Sequence, residues 1–257
     1  DLGDDTLIIG TSGRYEFKNK GIDVFLESLN RLNRDKDLKK KVLAFVNVPG
    51  WVGDPREDLQ KRLKSKNKFT EPLQCPFITH WLHNMTHDQV LDMLKYLGMG
   101  NRPEDKVKVI FVPCYQDGHD GILNKHYYDL ILGEDLSVYP SYYEPWGYTP
   151  LESVAFRVPT ITTDLAGFGL WVNSLKNQHG INDGVEVLHR SDYNYSEVAD
   201  GIKDTVALFS TKTEAEIKEI RKRAGQVAEQ ALWKHFIQYY YEAYDIALRN
   251  AMKRQLK

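Results

Sequence analysis

Four charged side chains are spaced so that they could do chemistry together. Glu144 and Glu152 bracket the stretch Pro140-Ser-Tyr-Tyr-Glu-Pro-Trp-Gly-Tyr-Thr-Pro-Leu-Glu152, and Arg14 and Lys20 lie in Gly13-Arg-Tyr-Glu-Phe-Lys-Asn-Lys-Gly21. A guanidinium can grip two phosphate oxygens through its fork, while an ammonium acts as a point charge. Each charge-assisted contact is worth about 1.5–3 kcal/mol. A carboxylate beside such cations needs another task, and a vicinal diol supplies one by donating two O–H bonds to it. The set points to a ligand that carries both phosphate and sugar hydroxyls. The bland alternative is two surface cations in a charged loop, a solvated Glu144 and a helix-capping Glu152.

The elements around these residues have to position them. Leu136-Ser-Val-Tyr139 reads as a short apolar strand and Leu151 to Phe156 as a short helix. Pro150 suits the first helical position, Thr149 the N-cap and Glu152 the third helical position, which together spell a capping box. Gly147 lets the backbone come close to whatever sits above it. The bare N–H groups of a helix start, with roughly half a positive charge, make a phosphate site at the end of a strand. Gly147, Tyr148 and Thr149 are thus expected to offer backbone donors.

The same grammar repeats along the chain. Leu7–Gly10 is a strand, Thr11–Gly21 a basic loop, and Ile22, Phe25, Leu26, Leu29 and Leu32 have helical spacing over about Gly21–Asn33. Strands are expected at Val42–Val48, Val107–Val112, Pro159–Thr163 and Val185–Leu188. Pro49 to Lys66 reads as mixed loop and polar helix. Further helices are expected at Val90–Leu97, Leu123–Leu132, Tyr195–Phe209 and Thr213–Asn250, the last broken near Gly225 or Trp233. Gly167-Phe-Gly169 reads as a tight loop after its strand. Alternation of strand and helix predicts a Rossmann-like, doubly wound parallel sheet that binds ligands at the carboxyl ends of its strands. The loops Thr11–Gly21, Tyr142–Thr149 and Ala166–Gly169 would converge there.

Composition narrows the class. The 257 residues carry 34 basic and 36 acidic side chains, which gives no case for nucleic acid or an anionic membrane as the main partner. Two cysteines, Cys75 and Cys114, are too few for a disulfide framework. With no signal peptide and no long apolar run, a cytoplasmic setting is expected. The chain starts at Asp1 and enters a strand almost at once, so it reads as a piece of a longer product. His80, His83 and His87 would line one helix face, but no H-E-x-x-H accompanies them. Asp35-Lys-Asp37 matches the D-x-D of metal-dependent sugar transferases, yet the lysines around it favour a solvated helix end. No metal and no cofactor is expected.

Glu144 and Glu152 show the E-x7-E spacing of retaining glycosyltransferases built from two Rossmann-like domains. The fuller string Ser141-Tyr-Tyr-Glu-Pro-Trp-Gly-Tyr-Thr-Pro-Leu-Glu152, followed by Val158-Pro-Thr-Ile-Thr-Thr-Asp-Leu-Ala-Gly-Phe-Gly169, closely resembles the animal and fungal type of glycogen synthase. Gly13 to Gly21 looks like that family's phosphate-gripping segment, and the resemblance covers nearly the whole chain. It implies that residues 1–257 form a single C-terminal domain, the nucleotide-sugar-binding half of a GT-B fold. The acceptor-side N-terminal domain would be a missing partner. It implies glucosyl transfer with retention, from UDP-glucose to the 4-hydroxyl of glycogen or another α-1,4-glucan, and little turnover by this half alone.

Carried over by position, the resemblance makes Glu144, Arg14 and Lys20 catalytic. Arg14 and Lys20 would bind the diphosphate, with Gly13 in the same segment, and Glu144 would steady an oxocarbenium-like transition state. Glu152 would hold the ribose hydroxyls and Tyr127 would stack on uracil, with Tyr128 as the fallback. Gly167, Phe168 and Gly169 would shape the floor under the donor. The family's arginine-rich regulatory helix corresponds here to Glu214-Ala-Glu-Ile-Lys-Glu-Ile-Arg-Lys-Arg223, mixed in sign, which puts activation by glucose 6-phosphate in doubt and fits a bacterial relative. Homo-oligomer formation is left open. Two other readings stand beside this one: a GT-B enzyme with a different donor or acceptor, and a non-catalytic UDP-binding module.

Overall fold

The computed structural model describes residues 3, 5–176, 178 and 180–255. Its strands are β1 Leu7–Ser12, β2 Val42–Asn47, β3 Val52–Pro55, β4 His80–Leu82, β5 Val107–Val112, β6 Leu136–Val138, β7 Thr160–Thr163 and β8 Val185–Leu188. Its helices are α1 Ile22–Asn33, α2 Glu57–Lys64, α3 Gln89–Tyr96, α4 Tyr127–Leu132, α5 Tyr148–Ala155, α6 Gly167–Ser174, α7 Tyr195–Phe209, α8 Glu214–Gln230 and α9 Trp233–Gln255.

Six strands form one sheet in the order β5-β2-β1-β6-β7-β8, and every pairing in it is parallel. This is the Rossmann order, whose switch point lies between the first strand and the one that starts the second half. Here that point falls between β1 and β6. Strands in such a sheet are covered on both faces, so they read as apolar runs rather than alternations. Val42, Ala44, Val46, Val107, Val109, Phe111, Leu136 and Val138 are accordingly fully buried. From α1, Ile22, Phe25, Leu26, Leu29 and Leu32 pack beneath them, each at most 1 % exposed.

Several expectations are corrected. The region expected to be a histidine-bearing helix contains instead β4, which pairs antiparallel with the distant β3. His80 lies on β4, and His83 and His87 fall in bends beyond it, so the three share no helix face. The helix expected over Leu123–Leu132 is only α4, because Asp120 caps the preceding amides of Ile122, Leu123 and Asn124 and holds them in a turn. The C-terminal helical stretch breaks before Trp233 and runs through Gly225 unbroken. At Asp35-Lys-Asp37 the carbonyls of Asp35 and Lys36 accept bonds from the Lys106 ammonium, so the segment is a tied-down helix end.

One contact sets up the site. Gly21 is the N-cap of α1 at φ 67°, and a β-carbon there would stand 2.0 Å from the Pro140 carbonyl oxygen. Only glycine allows the loop after β1 to press against the loop after β6. The Tyr142 amide then donates to the Asn19 carbonyl at 2.7 Å. No described helix is long and apolar enough to cross a membrane.

Candidate functional site

The loop after β1 carries both cations, and its backbone is anchored between them. Tyr15 stands edge-on to Phe111, with ring centroids 5.9 Å apart. Its hydroxyl donates to Asp88 at 2.7 Å and accepts the Val90 amide. Burial and the Asp88 carboxylate push the Tyr15 phenol well above its ordinary pKa, so it stays a neutral anchor. Arg14, its neighbour, has a side chain 74 % exposed that pairs with Glu16 at 2.9 Å. Arg14 lines a cleft of about 500 Å³ together with Ser12, Gly13, Asn47, Gln116, Tyr127 and Thr149.

Lys20 points the other way around the same loop and forms an ion pair with Glu144. The two side chains are 14 % and 19 % exposed, so the pair is largely withdrawn from water at the β1–β6 switch point. Glu144 is held from behind by backbone bonds. Its amide donates to the Leu165 carbonyl, and its carbonyl accepts the Gly167 amide at 3.1 Å. The Trp146 carbonyl accepts the Phe168 amide at 2.7 Å. The three loops therefore do meet, joined by the Lys20–Glu144 pair and by these amides.

The helix after Glu144 begins differently from the expected capping box. Gly147, not Thr149, is the N-cap of α5, at φ 110°, and no side chain caps the helix. The positive φ turns the chain into the helix two residues early. Thr149 becomes the second helical residue and Pro150 the third, where a missing N–H is still harmless. The amides of Tyr148 and Thr149 are left at an uncapped, positively polarised end. Glu152, freed from capping, accepts the Tyr128 hydroxyl at 3.0 Å. Tyr148 itself is 72 % exposed.

Gly167-Phe-Gly169 is the first turn of α6 rather than a loop. The first two amides of that helix already have the Glu144 and Trp146 carbonyls as partners, which overcomes the low helix propensity of two glycines. Phe168 is fully buried and packs against Trp146 and Trp171. It supports the floor from below and touches no open space.

Tyr127 lines the cleft, whereas Tyr128 lies outside it against Phe156. The Tyr127 hydroxyl shares a 2.7 Å bond with Ser12. From Ser12 a buried chain runs through Tyr139 and Ser153 to Ser137 and Glu134. Burial pushes the Glu134 carboxyl up to about 8, so at neutral pH its proton is mostly retained.

Some cleft residues had no signal in the sequence. Asn47 Oδ1 and Gln116 Nε2 are buried and have no hydrogen-bond partner among the described residues. One is an acceptor and the other a donor, and both line the same cleft as Tyr127. Nothing local distinguishes them from any asparagine or glutamine that follows a strand. Beside the cleft, His80, Cys114 and Asp120 bring one ligand atom each within 4.8 Å of one another, a set that could hold a metal ion. The His80 Nε2 already donates to the Asp120 carbonyl at 2.7 Å. Burial pushes the Cys114 thiol up to about 12, far from the thiolate a metal would want.

The glycogen synthase family model matches residues 1–58 and 54–257 of this chain. Curated relatives include the glycogen [starch] synthase of Neurospora crassa, 28 % identical over 304 residues that cover 96 % of this chain and 42 % of the relative. Isoform 2 of Saccharomyces cerevisiae is 29 % identical over 314 residues, covering 99 % of this chain and 44 % of the relative. The enzyme of Caenorhabditis elegans is 32 % identical over 239 residues, covering 73 % and 35 %. The chain thus spans less than half the length of the relatives it matches. Among solved structures, the pneumococcal O-GlcNAc transferase GtfA in complex with UDP and GlcNAc superposes with a TM-score of 0.51 at 13 % identity, covering 94 % of this chain and 36 % of the other. That likeness concerns the fold, a Rossmann-like half of a GT-B glycosyltransferase. With the family model matching residues 1–58 and 54–257 of its 257 residues, and Lys20, Glu144 and the α5 start gathered at one switch point, this chain belongs to the glycogen synthase family.

Proposed function

We propose that the chain is the donor-binding part of a cytoplasmic, retaining glucosyltransferase, moving glucose from UDP-glucose to the 4-hydroxyl at the end of an α-1,4-glucan. The observation that carries this reading is the placement of the Lys20–Glu144 pair. Glu144 lies three residues before the Gly147 cap of an uncapped helix start, whose Thr149 lines the cleft bordered by Arg14 and Tyr127. A nucleoside diphosphate fits that order. The base lies on Tyr127, with Asn47 and Gln116 at its edge. The ribose hydroxyls reach Glu152, and the phosphates lie between Arg14 and the amides of Tyr148 and Thr149.

The glucosyl carbon then falls beside Glu144. As the bond to phosphate breaks, positive charge grows on the sugar and negative charge on the phosphate. Glu144 stabilises the first and Arg14, Lys20 and the helix start stabilise the second, all held in place before reaction. With the donor absent, Lys20 and Glu144 neutralise each other, so neither charge is stranded. The leaving phosphate takes the proton from the acceptor hydroxyl, and the chain's own part is charge stabilisation and positioning. A second Rossmann-like domain supplies the acceptor side.

The test is calorimetric titration of UDP. Arg14→Ala and Lys20→Ala are each expected to weaken binding at least tenfold, as loss of one charge-assisted contact of about 1.5–3 kcal/mol requires. Arg14 is the cleaner arm, because its exposed side chain adds little to the fold. Unchanged affinity in both variants overturns the proposal.

A further inference from the structure

A row of six side-chain oxygens runs from the Arg14 cleft to the start of β6, and the proposed transfer uses only the first, on Tyr127. After it come Ser12 of β1, Tyr139, Ser153 of α5, Ser137 of β6 and Glu134, at 2.7, 3.4, 2.8, 3.2 and 2.6 Å in turn. The five residues after Tyr127 are each at most 7 % exposed. Polar groups so deeply buried cost free energy unless they are hydrogen-bonded.

The hydroxyl protons fix the direction of the row, because each hydroxyl has one proton to give. Ser137 donates to the Glu134 carboxyl, and Ser153 donates to Ser137. The bond between Tyr139 and Ser153 must therefore use the Tyr139 proton. Ser12 donates to Tyr139, so the bond between Tyr127 and Ser12 must use the Tyr127 proton. All donors point one way, and every interior hydroxyl donates once and accepts once. A buried polar network satisfied in this way rigidifies what it joins. The Ser12–Tyr139 step is the longest and so the weakest, and substitutions beyond it decide whether the row acts as a unit.

The two ends of the row differ. Glu134 is fixed: its carboxyl lies so close to Gly10 of β1 that a β-carbon there would collide with it. Its backbone carbonyl accepts from Arg221 of α8. Tyr127 is the end that needs support. It opens α4, which is six residues long, has no side-chain bond from its His126 N-cap, and buries Ile131 alone of its described residues. So short a helix gains little stability from its own hydrogen bonds. The Tyr127 ring is instead tied to Ser12, 115 positions away. The row also passes through Ser153, one turn beyond Thr149 in α5. It thus joins the ring that lines the cleft to the helix whose Thr149 lines the same cleft.

We propose that Tyr139, Ser153, Ser137 and Glu134 are positioning residues of the donor site, which hold the Tyr127 ring, through Ser12, in the orientation on which a planar base stacks. The stacking of a base rests on the proposed transfer from UDP-glucose, while the fixing of the ring rests on the hydrogen bonds alone.

The experiment combines NMR of the chain labelled on its tyrosine rings with calorimetry of uridine, inorganic pyrophosphate and UDP. Tyr139→Phe and Ser153→Ala each remove one oxygen away from the cleft. Both are expected to shift the Tyr127 ring resonances of the ligand-free chain. Glu134→Leu, which takes away the final acceptor, should do the same. Glu134→Gln, whose amide oxygen can still accept from Ser137, should restore them. Because a loosened ring must be ordered again on binding, Tyr139→Phe and Ser153→Ala should weaken uridine by about three- to tenfold, the worth of one neutral hydrogen bond. Pyrophosphate affinity should stay within twofold, whereas a general loosening of the fold would weaken both probes together. Circular dichroism confirms folding, and Ser153→Ala keeps the test sound if a larger substitution unfolds the chain. Unmoved Tyr127 resonances in the folded variants, or equal losses for uridine and pyrophosphate, overturn the proposal. Moved resonances in a chain that binds no UDP would leave the fixing of the ring standing and remove the donor reading. UDP binding with unmoved resonances would do the reverse.

Discussion

The two ends of the sheet both carry hollows with basic residues, yet they differ in kind. At the amino ends of the strands lies the larger one, about 1110 Å³, with Lys40, Arg157, Lys218, Arg221 and Lys222 on its walls. On this side Arg221 donates to the Glu134 carbonyl and lies 3.7 Å from Asp135. Lys222 pairs with Glu219. At the carboxyl ends the spaces are smaller, but they hold an uncapped helix start and four buried polar groups with unmet atoms, Asn47, Gln116, Asp23 and Arg190, against the Thr6 hydroxyl alone among the described residues lining the amino-end hollow. Volume alone would choose the amino end. Unmet hydrogen-bonding capacity chooses the end that the parallel topology also favours.

The sharpest way to break this contrast is at Gly21. An alanine there would need a left-handed backbone and would drive its β-carbon into the Pro140 carbonyl. Gly21→Ala should cost about 2–4 kcal/mol in urea unfolding, as backbone strain and overpacking add. Because the displaced loop carries Lys20, UDP affinity in the remaining folded protein should fall as well. A variant with unchanged unfolding and unchanged UDP binding would show that the meeting of the two loops does not build the site.

A second prediction concerns the buried chain between the two ends. Glu134 offers its carbonyl to Arg221 below and its carboxyl to Ser137 above. Its folded pKa of about 8 stands above the ordinary 4.5. In the window between those values the folded state binds the proton and the unfolded state does not. The stabilising contribution is therefore complete below about 4.5 and is lost as pH rises toward 8, with a slope of at most about 1.4 kcal/mol per pH unit. Glu134→Gln, which keeps a neutral side chain, should remove that slope from stability measured against pH. Identical slopes in the two proteins would mean that Glu134 is not the titrating group.

How much of this was legible before the structure follows from the same physics. The long parallel strands were readable because burial on both faces demands continuous apolar runs, as at Val42–Val46, and α1 was readable from its spacing. The β3–β4 pair was not, since Val52-Gly-Asp-Pro55 is half-exposed and has no run to betray it. The start of α5 was misplaced because Thr149-Pro150 spells a helix start in local grammar, while the actual entry depends on the φ of Gly147. Glu144, Lys20 and Arg14 could be singled out from their motifs, but their pairing could not: Lys20 meets Glu144 across 124 positions of sequence. Arg190 and Asp23 carried no motif at all. Their interest lies in what they fail to touch, a property of the fold and not of the string.

The smallest predicted effect tests the amino end directly. Arg221 and Arg223 are the two arginines of the Glu214–Arg223 segment, and Arg223 is the one held by two carboxylates. It already donates to Asp183 at 2.8 Å and to Glu219 at 3.3 Å, with its side chain 43 % exposed. A phosphate arriving at that point would have to displace two carboxylates that are local and permanent. Arg223→Ala should therefore leave the urea-unfolding midpoint nearly unchanged, as exposed ion pairs do, and should leave UDP affinity unchanged. Glucose 6-phosphate should not raise the melting temperature of the unmutated chain. A ligand-dependent rise that Arg223→Ala abolishes would mean that these carboxylates give way, and that paired charges at the amino end are as available to a ligand as the unmet ones at the carboxyl end.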